Sequence, residues 1–104
     1  MSTSPTSLTL RDLRADGYTA EVVERWNPHA RVRHDLFGIV DVLAIRGGET
    51  LAVQATSATN MSARVRKIAD ATTIAAIREA GWRFVVWGWA KKGARWECRK
   101  VDVS

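Results

Sequence analysis

Cysteine, histidine and proline are scarce in this chain of 104 residues, which holds one, two and two of them. A lone thiol, Cys98, cannot close an internal disulfide, which fits a reducing cytoplasm. His29 and His34 are the only imidazoles, and neither has a context that would make Cys98 a nucleophile. No apolar run approaches the ~20 residues that a membrane span requires. The opening MSTSPTS lacks the basic n-region and the apolar stretch of a signal peptide, so residues 1–7 are expected to be a short disordered leader. Internal repeats are absent, and the length leaves no room for a second domain. Residues 8–104 are therefore expected to form a single domain around one core.

Acidic residues are the minority charge. Against 16 Lys and Arg stand 11 Asp and Glu, which gives a net charge of +5 and an isoelectric point of about 10.1. Such a balance favours an anionic partner, nucleic acid being the commonest for a small basic cytoplasmic domain. What is abundant is tryptophan, five in all. Most of them are expected to fill core space. Trp89 and Trp96 flank Lys91, Lys92 and Arg95 around a turn, an interleaving that suits unpaired bases and backbone phosphates.

Hydrophobic periodicity predicts a short helix over Leu8–Ala15, closed by Gly17, then a strand over Tyr18–Trp26 that Pro28 ends. Glu24 interrupts the more apolar face of that strand. A loop over Pro28–Phe37 follows, with Arg31, Arg33 and His34 ahead of Asp35, which can serve as a ligand or as a turn cap. Ile39–Ile45 is apolar on both alternating faces and Thr50–Ser57 nearly so, with Gly47-Gly48 between them as a hairpin signal. If Arg46 faces Glu49, Asp41 lies opposite Gln54 on one face of the sheet, the two polar residues in otherwise apolar strands. A carboxylate and an amide oxygen so placed can hold a hard divalent ion such as Mg²⁺ with waters, or can simply satisfy one another.

Beyond Thr56, SATN leads into a helical pattern over Met61–Ala80, with Thr59 or Asn60 as cap and Met61, Val65, Ile68, Thr72, Ala75 and Ala76 as its buried stripe. Asn60, Arg64 and Lys67 share a neighbouring stripe, near the start of the helix where free amides and the dipole favour phosphate. Two more strands, Trp82–Trp89 and Arg95–Val103, surround the basic turn Lys91-Lys92-Gly93. The expected fold is α/β (α+β), in the order α-β-β-β-α-β-β, with a mixed central sheet and one long packed helix. Any parallel strand pair is reached through the Met61–Ala80 crossover.

In that order of elements, and in the residues Asp41, Gln54 and Thr56, the chain resembles the PD-(D/E)XK nuclease superfamily. Its nearest likeness there is to small Holliday-junction resolvases and compact phage-encoded relatives. Asp41 matches the motif aspartate and Gln54 the motif Glu or Gln; Thr56 stands where the family carries lysine. The resemblance implies a restriction-endonuclease-like core and a metal-dependent DNA endonuclease, selective for branched DNA and homodimeric, working in a cytoplasm, the host's if the gene is carried by a phage. It implies Mg²⁺ or Mn²⁺ on Asp41 and Gln54, with Glu24 or Asp35 completing the shell. Lys67 is the candidate to replace the missing lysine, and Arg33, Asn60, Arg64, Lys67, Lys91, Lys92 and Arg95 are candidate DNA contacts. The alternative is a nuclease-fold protein that binds nucleic acid without cleaving it, for which Thr56 and the amide of Gln54 are the support.

Overall fold

The computed structural model describes residues 3–104 as a mixed α+β domain. Helix α1 (Pro5–Ala15) begins three residues before the expected start: Pro5 supplies a preset φ at the first turn, and the Ser4 hydroxyl accepts from the Ser7 N–H at 3.1 Å. Residues 5–7 are therefore helix and not leader; residues 1 and 2 lie outside the described residues. Leu8 and Leu13 of α1 are buried, and Thr9 with them.

The predicted strand over Tyr18–Trp26 divides. Strand β1 (Thr19–Val22) pairs with the main sheet, whereas β2 (Arg25–Asn27) leaves it and pairs with β3 (Val32–His34) as a separate two-stranded ribbon. Strand β4 (Val42–Arg46) pairs antiparallel with β5 (Glu49–Ser57), in the register that Gly47-Gly48 predicts, from Arg46 opposite Glu49 to Val42 opposite Val53. After β5 come a 3₁₀ turn (Ala58–Asn60) and two helices, α2 (Met61–Asp70) and α3 (Ile74–Glu79). The chain then re-enters the sheet as β6 (Arg83–Lys92), parallel to β5, and returns antiparallel as β7 (Arg95–Asp102). The five-stranded order is β1-β4-β5-β6-β7.

One long helix was expected where two exist, and the reason is rotational phase. Nine residues at about 100° each place Ile77 about 180° from Ile68 on a continuous helix, so both could not face the sheet. Ala71 adopts an extended conformation (ψ 139°) and resets the phase, so that Ile68, Ile74 and Ile77 are all buried. Ala75 and Ala76, expected in the buried stripe, are exposed instead.

The sheet is covered on both faces. Leu8 and Leu13 of α1 pack with Val42, Ala44, Leu51, Val53, Val85, Trp87 and Trp89. Met61, Ile68, Ile74 and Ile77 pack with Ala52, Phe84 and Val86 on the other side. Trp89 belongs to the first cluster, where its indole N–H donates to Thr9 Oγ1 at 2.9 Å; it is core and not an exposed platform. Among the described residues, no helix is long and apolar enough to cross a membrane.

Candidate metal centre

Strand β4 begins only at Val42, and Asp41 stands where the regular ladder ends. The Asp41 N–H donates to the Val53 carbonyl at 2.9 Å and its own carbonyl accepts from Val23 at 2.8 Å. Beyond that point β5 continues without a β4 partner, and the N–H of Ala55 needs an acceptor. The Asp41 carboxylate provides it: Oδ2 accepts from Ala55 N–H at 2.9 Å and from Gln54 Nε2 at 2.5 Å. Asp41 and Gln54 therefore meet as the hairpin predicts, through side chains and not as paired strand positions. It is the amide nitrogen that meets the carboxylate. Gln54 Oε1 is buried with no hydrogen-bond partner, and Gln54 does not line the adjoining cavity. The expected oxygen ligand is thus a donor that holds Asp41 in place.

Where β1 ends, the chain turns away from the sheet and carries Glu24 to Asp41. On the ribbon, Arg25 pairs with His34, so extending that register by one step brings Glu24 opposite Asp35. Ligand oxygens of Glu24, Asp35 and Asp41 all lie within 4.8 Å of one another, a group that could hold a metal ion. Of the two readings open for Asp35, its carboxylate joins this group while its backbone carbonyl accepts the turn bond from Gly38 N–H at 2.9 Å. Asp41 is 4% exposed. Burial, followed by the charge of Asp35, pushes its carboxyl up to about 7, against the opposing bonds from Gln54 and Ala55.

The group opens into a cavity of about 800 Å³ whose other walls mix basic and hydroxyl side chains with the apolar Pro5, Leu10, Val22 and Ala55. Arg33 and Lys67 line it, with Arg33 3.7 Å from Glu24 and Lys67 Nζ 3.7 Å from Asp35. Asn60 and Arg64 line it as well, so the expected stripe of Asn60, Arg64 and Lys67 does face one site. Asn60 stands at the N-terminus of α2 without a side-chain cap bond. Residues Ser4–Ser7, at the N-terminus of α1, form the opposite wall. Two helix N-termini and three basic side chains thus meet one carboxylate group. Sequence reasoning missed the contribution of α1, although Ser4 followed by Pro5 is an N-cap and first-turn signal that could have found it.

Thr56 is buried on the cavity wall, and no lysine stands beside it on β5. Lys91, Lys92 and Arg95 do not line the cavity. They sit at the β6–β7 turn, where Lys91 Nζ lies 5.8 Å over the Trp96 ring and Lys92 is 3.8 Å from Glu97. Burial pushes the Cys98 thiol up to about 11, which keeps it from acting as a thiolate. No family model, curated protein or solved structure matches this chain.

Proposed function

We propose that this chain is a metal-dependent phosphodiesterase acting on DNA, with the nuclease-like core that its motif resembles. The observation that carries this reading is the meeting, in one cavity, of a three-carboxylate group with Arg33, Arg64, Lys67 and two helix N-termini. Carboxylates packed this closely repel one another, and a divalent cation relieves that repulsion. The surrounding positive potential then suits an anion brought to that cation. Glu24, Asp35 and Asp41 would hold a Mg²⁺ or Mn²⁺ ion, which would supply a water of lowered pKa and neutralise charge on the scissile phosphate.

The chain's own residues do the rest. Gln54 and the Ala55 N–H fix the orientation of Asp41. Arg64 and Asn60 bind a phosphate oxygen, and Arg33 engages the neighbouring backbone. Lys67, 3.7 Å from Asp35, is our candidate to take over the role of the lysine that the family carries at the position of Thr56, stabilising charge that develops on phosphorus. The test is cleavage of linear and branched DNA with Mg²⁺ or Mn²⁺ by the wild type, Asp41→Asn and Lys67→Ala, each checked for folding. Cleavage that vanishes in Asp41→Asn and falls about 10²-fold in Lys67→Ala is the expected result; equal activity in all three removes the enzyme reading. Salt-sensitive binding without cleavage would favour the second reading, a nuclease-like fold that binds and does not cut, for which the buried Thr56 in the lysine's place speaks.

A further inference from the structure

Neither core cluster includes a residue of the β2–β3 ribbon. Trp26, at its centre, is 57% exposed, which sets it apart from Trp87 and Trp89 in the core. An indole more than half in solvent on a two-stranded ribbon contributes little to the hydrophobic core. Charge on the ribbon is one-sided: residues 25–34 contain three arginines, two histidines and no acid.

Register shows what the exposed indole is next to. Trp26 pairs with Arg33, so the two side chains emerge side by side on one face, with Cβ atoms about 4.5–5.5 Å apart. Glu24 and Asp35 adjoin the ribbon's strands at the end nearer the sheet, and Arg33 reaches Glu24 at 3.7 Å. The base of the ribbon is therefore the carboxylate group, and beyond it stands an aromatic ring beside a guanidinium that also lines the cavity.

We infer that the Trp26–Arg33 face holds an unpaired nucleotide of single-stranded or splayed DNA, the base stacked on Trp26 and its phosphate on Arg33, so that the adjoining phosphodiester enters the carboxylate cavity. Stacking on an exposed indole needs the free face of a base, which a closed duplex does not offer, and the cationic ribbon supplies the backbone contacts. The inference rests on the phosphodiesterase reading for what happens at the carboxylates, and it adds the substrate class: unpaired strands in preference to closed duplex.

The experiment is fluorescence anisotropy at low salt in Ca²⁺, with labelled single-stranded, forked and fully paired oligonucleotides, followed by cleavage of the same three in Mn²⁺. Single-stranded and forked DNA are expected to bind about tenfold tighter than duplex. Trp26→Ala should lose about tenfold on them and less than about twofold on duplex, while Trp26→Phe keeps most of the affinity. Because Trp26 is exposed, Trp26→Ala should leave the circular dichroism and the melting temperature as in the wild type. A loss equal on paired and unpaired DNA, no loss at all, or a dimer that Trp26→Ala disperses would each overturn the inference while the phosphodiesterase reading stands. Cleavage confined to closed duplex would do the same. The expected binding pattern without cleavage keeps the inference and removes turnover. Wild-type protein that binds none of the three overturns both.

Discussion

Replacing Asp41 by asparagine should make the metal-free protein more stable at pH 8 and, in the same step, blind to divalent ions. The carboxyl is pushed from 3.8 to about 7 in the folded chain, chiefly by burial and then by the charge of Asp35. A gap of about three units at about 1.36 kcal/mol each amounts to roughly 4 kcal/mol. The sign follows from proton binding. Below pH 4 both folded and unfolded chains hold the proton and no penalty exists. Between pH 4 and pH 7 the folded state holds a proton that the unfolded state has lost, so stability falls as pH rises, and above pH 7 the whole penalty applies. Asparagine is isosteric and uncharged. Its Oδ1 can accept the bonds from Gln54 Nε2 and Ala55 N–H, and its Nδ2 can donate to Asp35 or Glu24. If half the penalty is recovered, about 2 kcal/mol, the melting temperature at pH 8 rises by about 10 °C. Thermal melts of both proteins from pH 5 to pH 9, with chelator and with Mn²⁺, check this. Wild type should gain stability from Mn²⁺ above pH 7 and progressively less below it, whereas Asp41→Asn should gain little at any pH. A lower melting temperature for Asp41→Asn at pH 8, or an equal Mn²⁺ shift in both proteins, refutes the reasoning.

Three further outcomes follow from other parts of the molecule. Thr9→Val leaves the buried Trp89 N–H without its acceptor and should cost about 1–3 kcal/mol in urea unfolding, while Thr9→Ser recovers most of it. Gly88→Ala drives a Cβ into the Met61 side chain and to within 3.1 Å of the Ala58 backbone. It should cost about 1–3 kcal/mol and, by displacing the start of α2, weaken DNA binding through Asn60 and Arg64. Arg64→Ala should weaken binding to all DNA forms alike and reduce the slope of log K against log salt by about one, measured by anisotropy titrations.

Local chemistry decided the parts of the fold that were legible beforehand. Gly47-Gly48 between apolar runs determined a hairpin and its register, because a tight turn leaves few pairings that keep both strands' apolar residues buried. Asp41 and Gln54 stood out because polar groups in two-sided apolar strands are costly unless they are partnered. The crossover marked where a parallel pair could form, and β5 and β6 form it. What the pattern could not convey depended on contacts between distant residues. Whether Tyr18–Trp26 stays one strand is decided at Val23, whose N–H bonds to Asp41, after which the chain leaves the sheet; local alternation is the same either way. Ala71 breaks the helix because Ile68 and Ile77 must face one sheet, a demand that exists only once the sheet is present. Which indole is core was open for the same reason: Trp89 lies under α1, whereas Trp26 stands on a ribbon outside both core clusters. Sequence alone settled which residues were out of place in an apolar setting. Tertiary structure alone settled which of them share a cavity, because Glu24, Asp35 and Asp41 are brought together by a strand leaving the sheet and not by spacing along the chain.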